Sequence, residues 1–554
     1  MVLIAWWRVP PAVPVLEGVT QLTNDGESKA PGTLATDGAR VYFSEGPTGS
    51  LKIAQVSVTG GQTVQIDTGL QNPQIVGLST DGSTLLTMVG GSNDPRYPLW
   101  SVPLPAGGPR RLGEIEAQDA TLLPDRRIVY VNGNSVYIAE RDGSGARRLV
   151  EMSQADRLWA PSASPDGAQI GFTAAQGTHR LEQVGLDGTG LHEMLNRNQS
   201  LPSVCCGKWT PDGKSFLFED LEDGRSNLWM IPQGRDLFYR SRRPVRLTNG
   251  PLSYTSPIPS RDGRRVFAIG SQGRGELVRY DARFHQFLPF LSGISAVDVT
   301  FSVDGQWVAY ASYPDRTLWR SRIDGAERRQ LTYSPMVALS PFLSPDGKKV
   351  SFCSITGEVY VVSESGTLQK ITDKGMFADW SPDGNSLAYT TTAPAASMAE
   401  GKHSGGENGQ YELKIVDLRN GKISTLPDSR GKLGIFWVTQ NLVIANKQEL
   451  TKFSLFDLNT KKWTDILSGV FVNWFPSVDR KYLYITTGGT EAPRLLRLRF
   501  SDLRVEELGS LKDLRRVVDF YFGTGINVAP DGSALFTRDI GTQEIYALNV
   551  RWPQ

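Results

Sequence analysis

Short hydrophobic runs recur along the whole chain and are separated by polar turns rich in Asp, Gly, Ser and Pro. Period-2 runs such as Trp307-Val308-Ala309-Tyr310 and Leu387-Ala388-Tyr389 predict β-strands. A second, apolar and aromatic run follows, as at Leu318-Trp319 and Val359-Tyr360. The 57 glycines and 33 prolines favour many turns over long helices. The pattern therefore predicts an all-β chain.

The turns share a motif that explains their geometry. Proline sets φ for the second position of a type I turn, serine suits the first position, and glycine accepts the conformation required at the fourth. Ser-Pro-Asp-Gly between β-rich runs is therefore a hairpin, and its Ser and Asp are structural, not catalytic. Complete or near-complete copies contain Asp166, Asp212, Asp346 and Asp383, variants contain Asp37, Asp81, Asp262, Asp304 and Asp531, and Asp125 and Asp479 have lost the glycine.

These aspartates mark an internal repeat. Most successive ones are 37 to 50 residues apart, and the interval from Asp383 to Asp479 has room for two units, with a degenerate one around residues 437–445. A period of roughly 40–45 residues is that of a four-stranded propeller blade. We therefore predict tandem β-propellers of four-stranded blades, about twelve in total and divided six plus six. The first propeller would span residues 18–293 and the second residues 294–554.

The last blade has only three predicted strands. Residues 18–23 have the pattern of a closing strand and could supply the fourth, which would remove an open sheet edge. The long segment at residues 391–410 departs from the repeat, and its composition favours a flexible loop, with a partner-binding loop as the alternative.

The Ser-Pro-Asp-Gly blades resemble the PD40 or TolB-like (WD40-like) propeller repeats. The resemblance is sharpest in three stretches: Pro244-Val245-Arg246-Leu247-Thr248-Asn249-Gly250-Pro251, Asp304-Gly305-Gln306-Trp307-Val308-Ala309-Tyr310 and Gly541-Thr542-Gln543-Glu544-Ile545-Tyr546-Ala547-Leu548. Together they are similar to the extracytoplasmic propeller region of bacterial membrane-anchored winged-helix regulators or kinases. The resemblance covers residues 18–554, implies a periplasmic or extracytoplasmic location and brings no catalytic residues. Winged-helix and kinase sequences are absent, so DNA binding is not carried over.

The first residues fit such an anchor in part. Met1-Val-Leu-Ile-Ala-Trp-Trp7 is apolar and is followed by Arg8. It is too short to cross a bilayer, which needs about 20 residues, and it lacks the features of a signal peptide. Residues 1–17 are interpreted as a stub, the end of a transmembrane anchor that begins before Met1, with a frayed apolar terminus as the alternative.

Charge argues against nucleic acid as a partner. The formal net charge is +1, which gives no basic field for a polyanion. Two local clusters, Arg240-Ser241-Arg242-Arg243 and Arg515-Arg516, are interpreted as solvated surface.

The residue types of common active sites are sparse. Motifs of α/β-hydrolases, sialidases, zinc proteases and phosphate-binding loops are absent, and Gly523-Thr524-Gly525 is too short to cradle a phosphate. Cys205, Cys206 and Cys353 are interpreted as small buried thiols, with a vicinal disulfide or a soft-metal site at Cys205-Cys206 as the alternative. The four histidines, which lack metal-ligand spacing, are His179, His192, His285 and His403.

The sequence thus predicts a non-enzymatic protein without cofactor or metal, and it nominates no site residue. The expected function is protein interaction or ligand sensing at the bacterial cell envelope, as the sensor half of a membrane-anchored regulator. The partner would be an envelope protein, peptide or glycan, recognised by loops. The alternatives are a free TolB-like periplasmic scaffold and a propeller hydrolase whose scattered polar residues surround an axis.

Overall fold

The computed structural model describes residues 13–552 except 48, 91–95, 156, 177, 196–200, 202, 223–224, 234–242, 392–410, 448, 488–492 and 518–524. The apolar segment at residues 1–7, residues 240–242 of the first basic cluster, nearly all of the 391–410 loop, Gly523 and Thr524 lie outside these residues. Among the described residues, no helix has the length and hydrophobicity needed to cross a bilayer.

The described residues form twelve four-stranded antiparallel sheets, and they contain one short helical turn, a 3-10 turn at Leu291–Gly293. The predicted all-β class and the four-stranded blades are confirmed. The sheets divide between two compact units. Unit 1 contains the described residues up to Gln272 and those from Thr542 onward, and unit 2 contains Gly273–Gly541.

Unit 1 contains six blades, each given from its first strand to its fourth. Blade 1 is β2 (Ala35–Thr36), β3 (Arg40–Glu45), β4 (Lys52–Ser57) and β5 (Val64–Ile66), and blade 2 is β6 (Pro73–Leu78), β7 (Thr84–Val89), β8 (Tyr97–Pro103) and β9 (Arg110–Ala117). Blade 3 is β10 (Asp119–Leu122), β11 (Ile128–Asn132), β12 (Ser135–Ala139) and β13 (Arg147–Glu151), and blade 4 is β14 (Arg157–Ala163), β15 (Gln169–Gln176), β16 (Thr178–Gly185) and β17 (His192–Glu193). Blade 5 is β18 (Val204–Trp209), β19 (Ser215–Glu222), β20 (Arg225–Pro232) and β21 (Val245–Arg246), and blade 6 is β22 (Ser253–Pro259), β23 (Arg265–Gln272), β48 (Thr542–Arg551) and β1 (Val15–Gln21).

Unit 2 contains the other six blades. Blade 7 is β46 (Asn527–Val528), β47 (Ala534–Asp539), β24 (Gly275–Asp281) and β25 (Gln286–Pro289), and blade 8 is β26 (Ala296–Phe301), β27 (Trp307–Ser312), β28 (Leu318–Arg322) and β29 (Arg329–Gln330). Blade 9 is β30 (Leu339–Leu343), β31 (Lys349–Cys353), β32 (Val359–Ser363) and β33 (Leu368–Thr372), and blade 10 is β34 (Met376–Trp380), β35 (Ser386–Thr390), β36 (Leu413–Asp417) and β37 (Ile423–Thr425). Blade 11 is β38 (Lys432–Thr439), β39 (Leu442–Lys447), β40 (Lys452–Asp457) and β41 (Lys462–Ser468), and blade 12 is β42 (Phe471–Pro476), β43 (Tyr482–Thr487), β44 (Arg494–Arg499) and β45 (Val505–Ser510).

Two blades are assembled from distant parts of the chain. The segment from β22 to β25 reads as one regular repeat, yet its first two strands belong to blade 6 and its last two to blade 7. β48 returns to unit 1, where it pairs with β23 along eight residues and with β1 on its other edge. The chain therefore leaves unit 1 between Gln272 and Gly273, inside a repeat, whereas the sequence-based division placed the boundary after residue 293. The fold also places β1 in blade 6 of unit 1, because β1 pairs with β48. Strand pairing, and not the order of the repeats in the sequence, decides which blade a strand completes.

Neighbouring blades pack through their hydrophobic faces. In unit 1 the first strands of blades 1 to 6 contact one another in succession. Val41 and Phe43 of blade 1 also share a buried cluster with Phe267 and Ile269 of blade 6. Burial of these side chains is the main source of stability for sheets that have no helix to cover them.

The turns have the predicted structural role. Ser381 Oγ donates to Asp383 Oδ1 at 2.6 Å and accepts the backbone N–H of Ser386 at 2.9 Å. The hydrogen bond from Ser381 is the main cause that lowers the pKa of Asp383 to about 2. Gly384 has φ of 73°, the left-handed region that favours glycine. The same hydroxyl–carboxylate bond joins Ser164 to Asp166, Thr210 to Asp212, Ser260 to Asp262, Ser302 to Asp304, Ser344 to Asp346 and Ser477 to Asp479.

Candidate functional site

The first strands of many blades carry a β-bulge. At seven of these bulges the register shifts and a residue adopts positive φ, which non-glycine residues rarely do. These residues are Ala160, Cys206 and Ser256 in unit 1, and Asp298, Ser340, Phe377 and Gly434 in unit 2. The bulges take backbone N–H groups out of the strand ladder, so each one needs another acceptor.

Side chains of the preceding blade accept several of these N–H groups. Thr173 Oγ1 accepts the N–H of Cys206 at 3.1 Å, and Thr390 Oγ1 accepts that of Gly434 at 3.1 Å. Glu219 accepts the N–H of Ser256, and Cys353 accepts that of Phe377. The four acceptors are each the fifth residue of the second strand of their blade. Of these four acceptors, Glu219 is the one with a carboxyl group, whereas Thr173 and Thr390 have hydroxyls and Cys353 has a thiol.

Unit 2 contains a cavity of about 320 Å³ where the first strands of its blades converge. Its wall is mostly apolar and comes from all six blades of the unit. Val303 at the cavity is 65% exposed, whereas Trp380 is buried and donates its Nε1–H to the carbonyl of Phe342 at 2.9 Å. The apolar lining residues are Phe301, Val303, Phe342, Leu343, Pro345, Trp380, Pro382, Val438, Phe475, Pro476, Val478 and Val528.

An aromatic cluster forms one side of this cavity. The rings of Phe342 in blade 9 and Phe475 in blade 12 stack with centroids 5.6 Å apart and planes 3° apart. Phe436 of blade 11 packs edge-on against both, at 5.6 and 5.9 Å. Because blades 9 and 12 are not neighbours, the rings meet across the space between the first strands. One side of the cavity is therefore apolar and aromatic.

A partly buried ion pair, between Arg480 and Asp379, lies at the cavity. Arg480 donates two hydrogen bonds to the buried carboxylate of Asp379, at 2.7 and 2.8 Å, and a third to the carbonyl of Trp437 at 3.2 Å. The N–H of Trp437 also donates to Asp379, at 2.9 Å. Arg480 occupies the glycine position of its turn and has φ of 58°. Arg480 therefore has a strained backbone conformation, and its side chain neutralises the buried charge of Asp379.

Unit 1 contains a different group of polar residues. Cys205 and Cys206 form a disulfide and both are half-buried, so the interpretation as small buried thiols is wrong for this pair. The reason is that the strand places them side by side at a bulge. Cys353, in contrast, is a buried free thiol as predicted, and burial raises its pKa to about 12.

Glu219 lies directly across the strand ladder from Cys205. Its Oε1 is 3.2 Å from Cys205 Sγ, and its Oε2 accepts a hydrogen bond from Ser226 Oγ at 3.3 Å. Glu219 is 7% exposed, and burial raises its pKa to about 8. At neutral pH the carboxyl group is therefore mostly protonated and can donate its O–H to the sulfur.

Unit 1 also contains two residues of opposite charge, Asp119 in blade 3 and Lys208 in blade 5, that affect each other's pKa. Asp119 accepts the backbone N–H groups of Ala160 and Ala120, both at 2.8 Å. Desolvation raises the pKa of Asp119, and the charge of Lys208 opposes that shift. Desolvation also lowers the pKa of Lys208, again against the effect of its partner. Asp119 and Lys208 belong to the first strands of blades 3 and 5, which are separated in the chain by blade 4.

The described histidines make contacts of their own. His179 packs edge-on against Trp159, His192 contacts the carbonyl of Gly190, and His285 contacts the hydroxyl of Tyr280. His403 lies outside the described residues. Among the residues that the structure describes, the ligand atoms close enough together to hold a metal belong to Cys205, Cys206 and Glu219.

The second basic cluster is not uniformly solvated. Arg515 is exposed and pairs with Asp539 at 3.1 Å, as expected of a surface residue. Arg516 is half-buried, and burial lowers its pKa.

The sequence analysis nominated no site residue, but the sequence contains partial signals for Arg480 and Glu219. The lost glycine at Asp479-Arg480 marked a turn with a different role. An alignment of the second strands places the carboxyl group of Glu219 at the position that Thr173, Cys353 and Thr390 occupy in blades 4, 9 and 10.

No family model matches the chain. An uncharacterized protein of Agrobacterium fabrum is 24% identical over 279 residues, which are 45% of this chain and 89% of that protein. Among solved structures, a TolB protein of Agrobacterium tumefaciens shares 15% identity at a TM-score of 0.37, over 49% of this chain and 99% of that one. The tricorn protease shares 13% at 0.34, over 85% and 57%, and TolB of Acinetobacter baumannii shares 18% at 0.29, over 56% and 78%.

Proposed function

We propose that the chain is a tandem of two six-bladed propellers that binds other proteins at the bacterial cell envelope without catalysing a reaction. The unit 2 cavity is the binding site, and its ligand is an apolar or aromatic side chain that projects from a partner's extended segment. The observation that carries the proposal is the mostly apolar wall contributed by all six blades, with the stacked rings of Phe342 and Phe475 on one side. Pockets of roughly 300–1,000 Å³ with this composition are typical ligand sites.

The charges at the cavity support a neutral ligand group. Arg480 and Asp379 neutralise each other through two hydrogen bonds. An isolated arginine would favour an acidic ligand, whereas this paired one leaves the apolar wall as the main source of affinity. The cavity volume of about 320 Å³ suits one or two large side chains. In many protein interfaces a few such buried anchor side chains contribute most of the binding energy.

The experiment selects short random linear peptides on the purified protein and measures their affinity by fluorescence anisotropy. Val303→Trp puts a large side chain at the cavity mouth, and Val470→Trp is the matched control because Val470 is 73% exposed and does not line the cavity. We expect selected peptides to share an aromatic or aliphatic anchor and to bind Val303→Trp at least ~10-fold more weakly. Peptides that bind both variants equally well would contradict the proposed site.

The location and the form of the native protein follow as a separate part of the proposal. We propose that it lies outside the cytoplasm and is the sensor half of a membrane-anchored regulator, with a free TolB-like scaffold as the alternative. An immunoblot of fractionated cells distinguishes the two. A membrane-bound band clearly heavier than 60.9 kDa supports the anchored form. A soluble periplasmic band at that mass supports the free scaffold, and a cytoplasmic band contradicts both.

A further inference from the structure

The group around Glu219 in unit 1 takes no part in the proposed peptide binding, yet it combines three reactive side chains. Cys205 and Cys206 are adjacent and joined as a disulfide, and Glu219 faces Cys205 from the neighbouring strand. The ligand atoms of the three residues all lie within 4.8 Å of one another. Such a combination of two sulfurs and one carboxyl group requires an explanation beyond blade packing.

Packing alone does not require a carboxyl group at position 219. The equivalent positions in blades 4, 9 and 10 hold Thr173, Cys353 and Thr390, which accept the bulge N–H of the next blade with a hydroxyl or a thiol. A buried carboxyl group has to be desolvated, which a hydroxyl at the same position would largely avoid. Glu219 accepts the same kind of N–H, from Ser256, and its Oε1 also lies 3.2 Å from Cys205 Sγ.

We propose that Cys205, Cys206 and Glu219 form a binding site for a thiophilic divalent cation, which becomes available when the Cys205–Cys206 disulfide is reduced. Two thiolates and one carboxylate are a ligand set that soft and borderline cations such as Cd²⁺ and Zn²⁺ accept. Three protein ligands leave one position of a tetrahedral ion open. Ser226, which already donates to Glu219, would orient the carboxylate from behind.

The redox step that opens the site is an ordinary thiol–disulfide exchange. A dithiol reductant attacks one sulfur of the pair, the S–S bond breaks, and a second attack releases the protein with two thiols and the reductant as its own disulfide. The two thiol protons of the reductant end on Cys205 and Cys206. The cation then displaces these protons and the proton of Glu219, so that two thiolates and a carboxylate hold it. Both cysteines are half-buried, so a small reductant can reach them.

The test titrates CdCl₂ into the full-length protein after reduction, removal of the reductant without oxygen and treatment with EDTA. Thiolate-to-cadmium charge transfer is followed in the ultraviolet, and bound cadmium is measured after gel filtration. We expect one ion per reduced chain and none per oxidised chain. Glu219→Gln, which keeps the side-chain shape, should weaken binding by at least ~10-fold. Cys205→Ser should abolish the charge-transfer band.

Cys353→Ser is the matched control, because Cys353 is the third cysteine and is buried in unit 2. It should bind cadmium like the unsubstituted protein. If Cys205→Ser does not fold, Cys206→Ser tests the same ligand pair. The absence of a band in the reduced protein, or an affinity that Glu219→Gln leaves unchanged, would overturn the proposal.

Discussion

The guanidinium of Arg480 donates hydrogen bonds of 2.7 and 2.8 Å to the carboxylate of Asp379, which lies 101 residues earlier in the chain. Asp379 is fully buried and the Arg480 side chain is 27% exposed. Trp437 links to both residues through its own N–H and carbonyl. Blades 10, 11 and 12 are therefore joined by one polar network beside the unit 2 cavity.

Arg480→Gly should destabilise unit 2 by about 2 kcal/mol. Glycine relieves the positive φ, which contributes about 1 kcal/mol, but the buried carboxylate of Asp379 loses its partner, which costs about 3 kcal/mol. Urea unfolding followed by tryptophan fluorescence measures the difference. Asp379→Asn in the Arg480→Gly background should recover part of the loss. Strictly additive effects of the two substitutions would show that the ion pair does not couple the blades.

Ser381→Ala should lower the free energy of unfolding by about 1–2 kcal/mol, because it removes the acceptor of the Ser386 N–H and the donor to Asp383. Ser381→Thr is the control, since it keeps the hydroxyl and blade 5 uses Thr210 at the same turn position. Thermal unfolding of the two variants makes the comparison. Equal melting temperatures would mean that the turn hydroxyl adds nothing to stability.

Thr23→Ala should weaken the closure of blade 6. Thr23 Oγ1 donates to Glu544 Oε2 at 2.5 Å and accepts the N–H of Ile545 at 2.9 Å, so it ties the start of the described chain to its last strand. The loss should be about 2 kcal/mol, because the N–H and the carboxylate stay buried without this partner. Thr23→Ser keeps both bonds and should stay near the stability of the unsubstituted protein. Urea unfolding checks both, and a similar loss in Thr23→Ser would assign the effect to the methyl group.

Glu219 should make the stability of the oxidised, metal-free protein depend on pH. Its pKa of about 8 in the folded state exceeds the ordinary 4.5, so the folded state binds more protons between these values. The contribution is therefore complete below about pH 4.5 and is lost as the pH rises toward 8, at up to about 1.4 kcal/mol per pH unit. Glu219→Gln removes this titration. The unfolding free energy is measured in urea for both proteins at pH 5 and at pH 8. The value for the unsubstituted protein minus the value for Glu219→Gln should be lower at pH 8 than at pH 5 by a few kcal/mol. The same difference at both pH values would contradict the raised pKa.

Local features of the fold were predictable from the sequence because their causes are local. The Ser381-Pro382-Asp383-Gly384 turn depends on the φ preferences of its own residues and on hydrogen bonds within six residues. The period-2 runs and the repeat length predicted four-stranded blades for the same reason. The sequence showed that the turn at Asp479 has Arg480 in place of the usual glycine. It gave no sign that the Arg480 side chain reaches the carboxylate of Asp379, two blades away.

The all-β class, the turn chemistry and the number of blades depend on residues that are close together in the chain, so they could be predicted before the fold was known. The pairing of distant strands could not: β22 and β23 complete one blade with β48, whereas β24 and β25 complete another with β47. The same is true of the contacts that place Cys205 opposite Glu219 and stack Phe342 on Phe475. Each of these relationships joins residues from different strands, and which strands become neighbours depends on the burial and edge pairing of whole sheets, a balance that no short stretch of sequence contains.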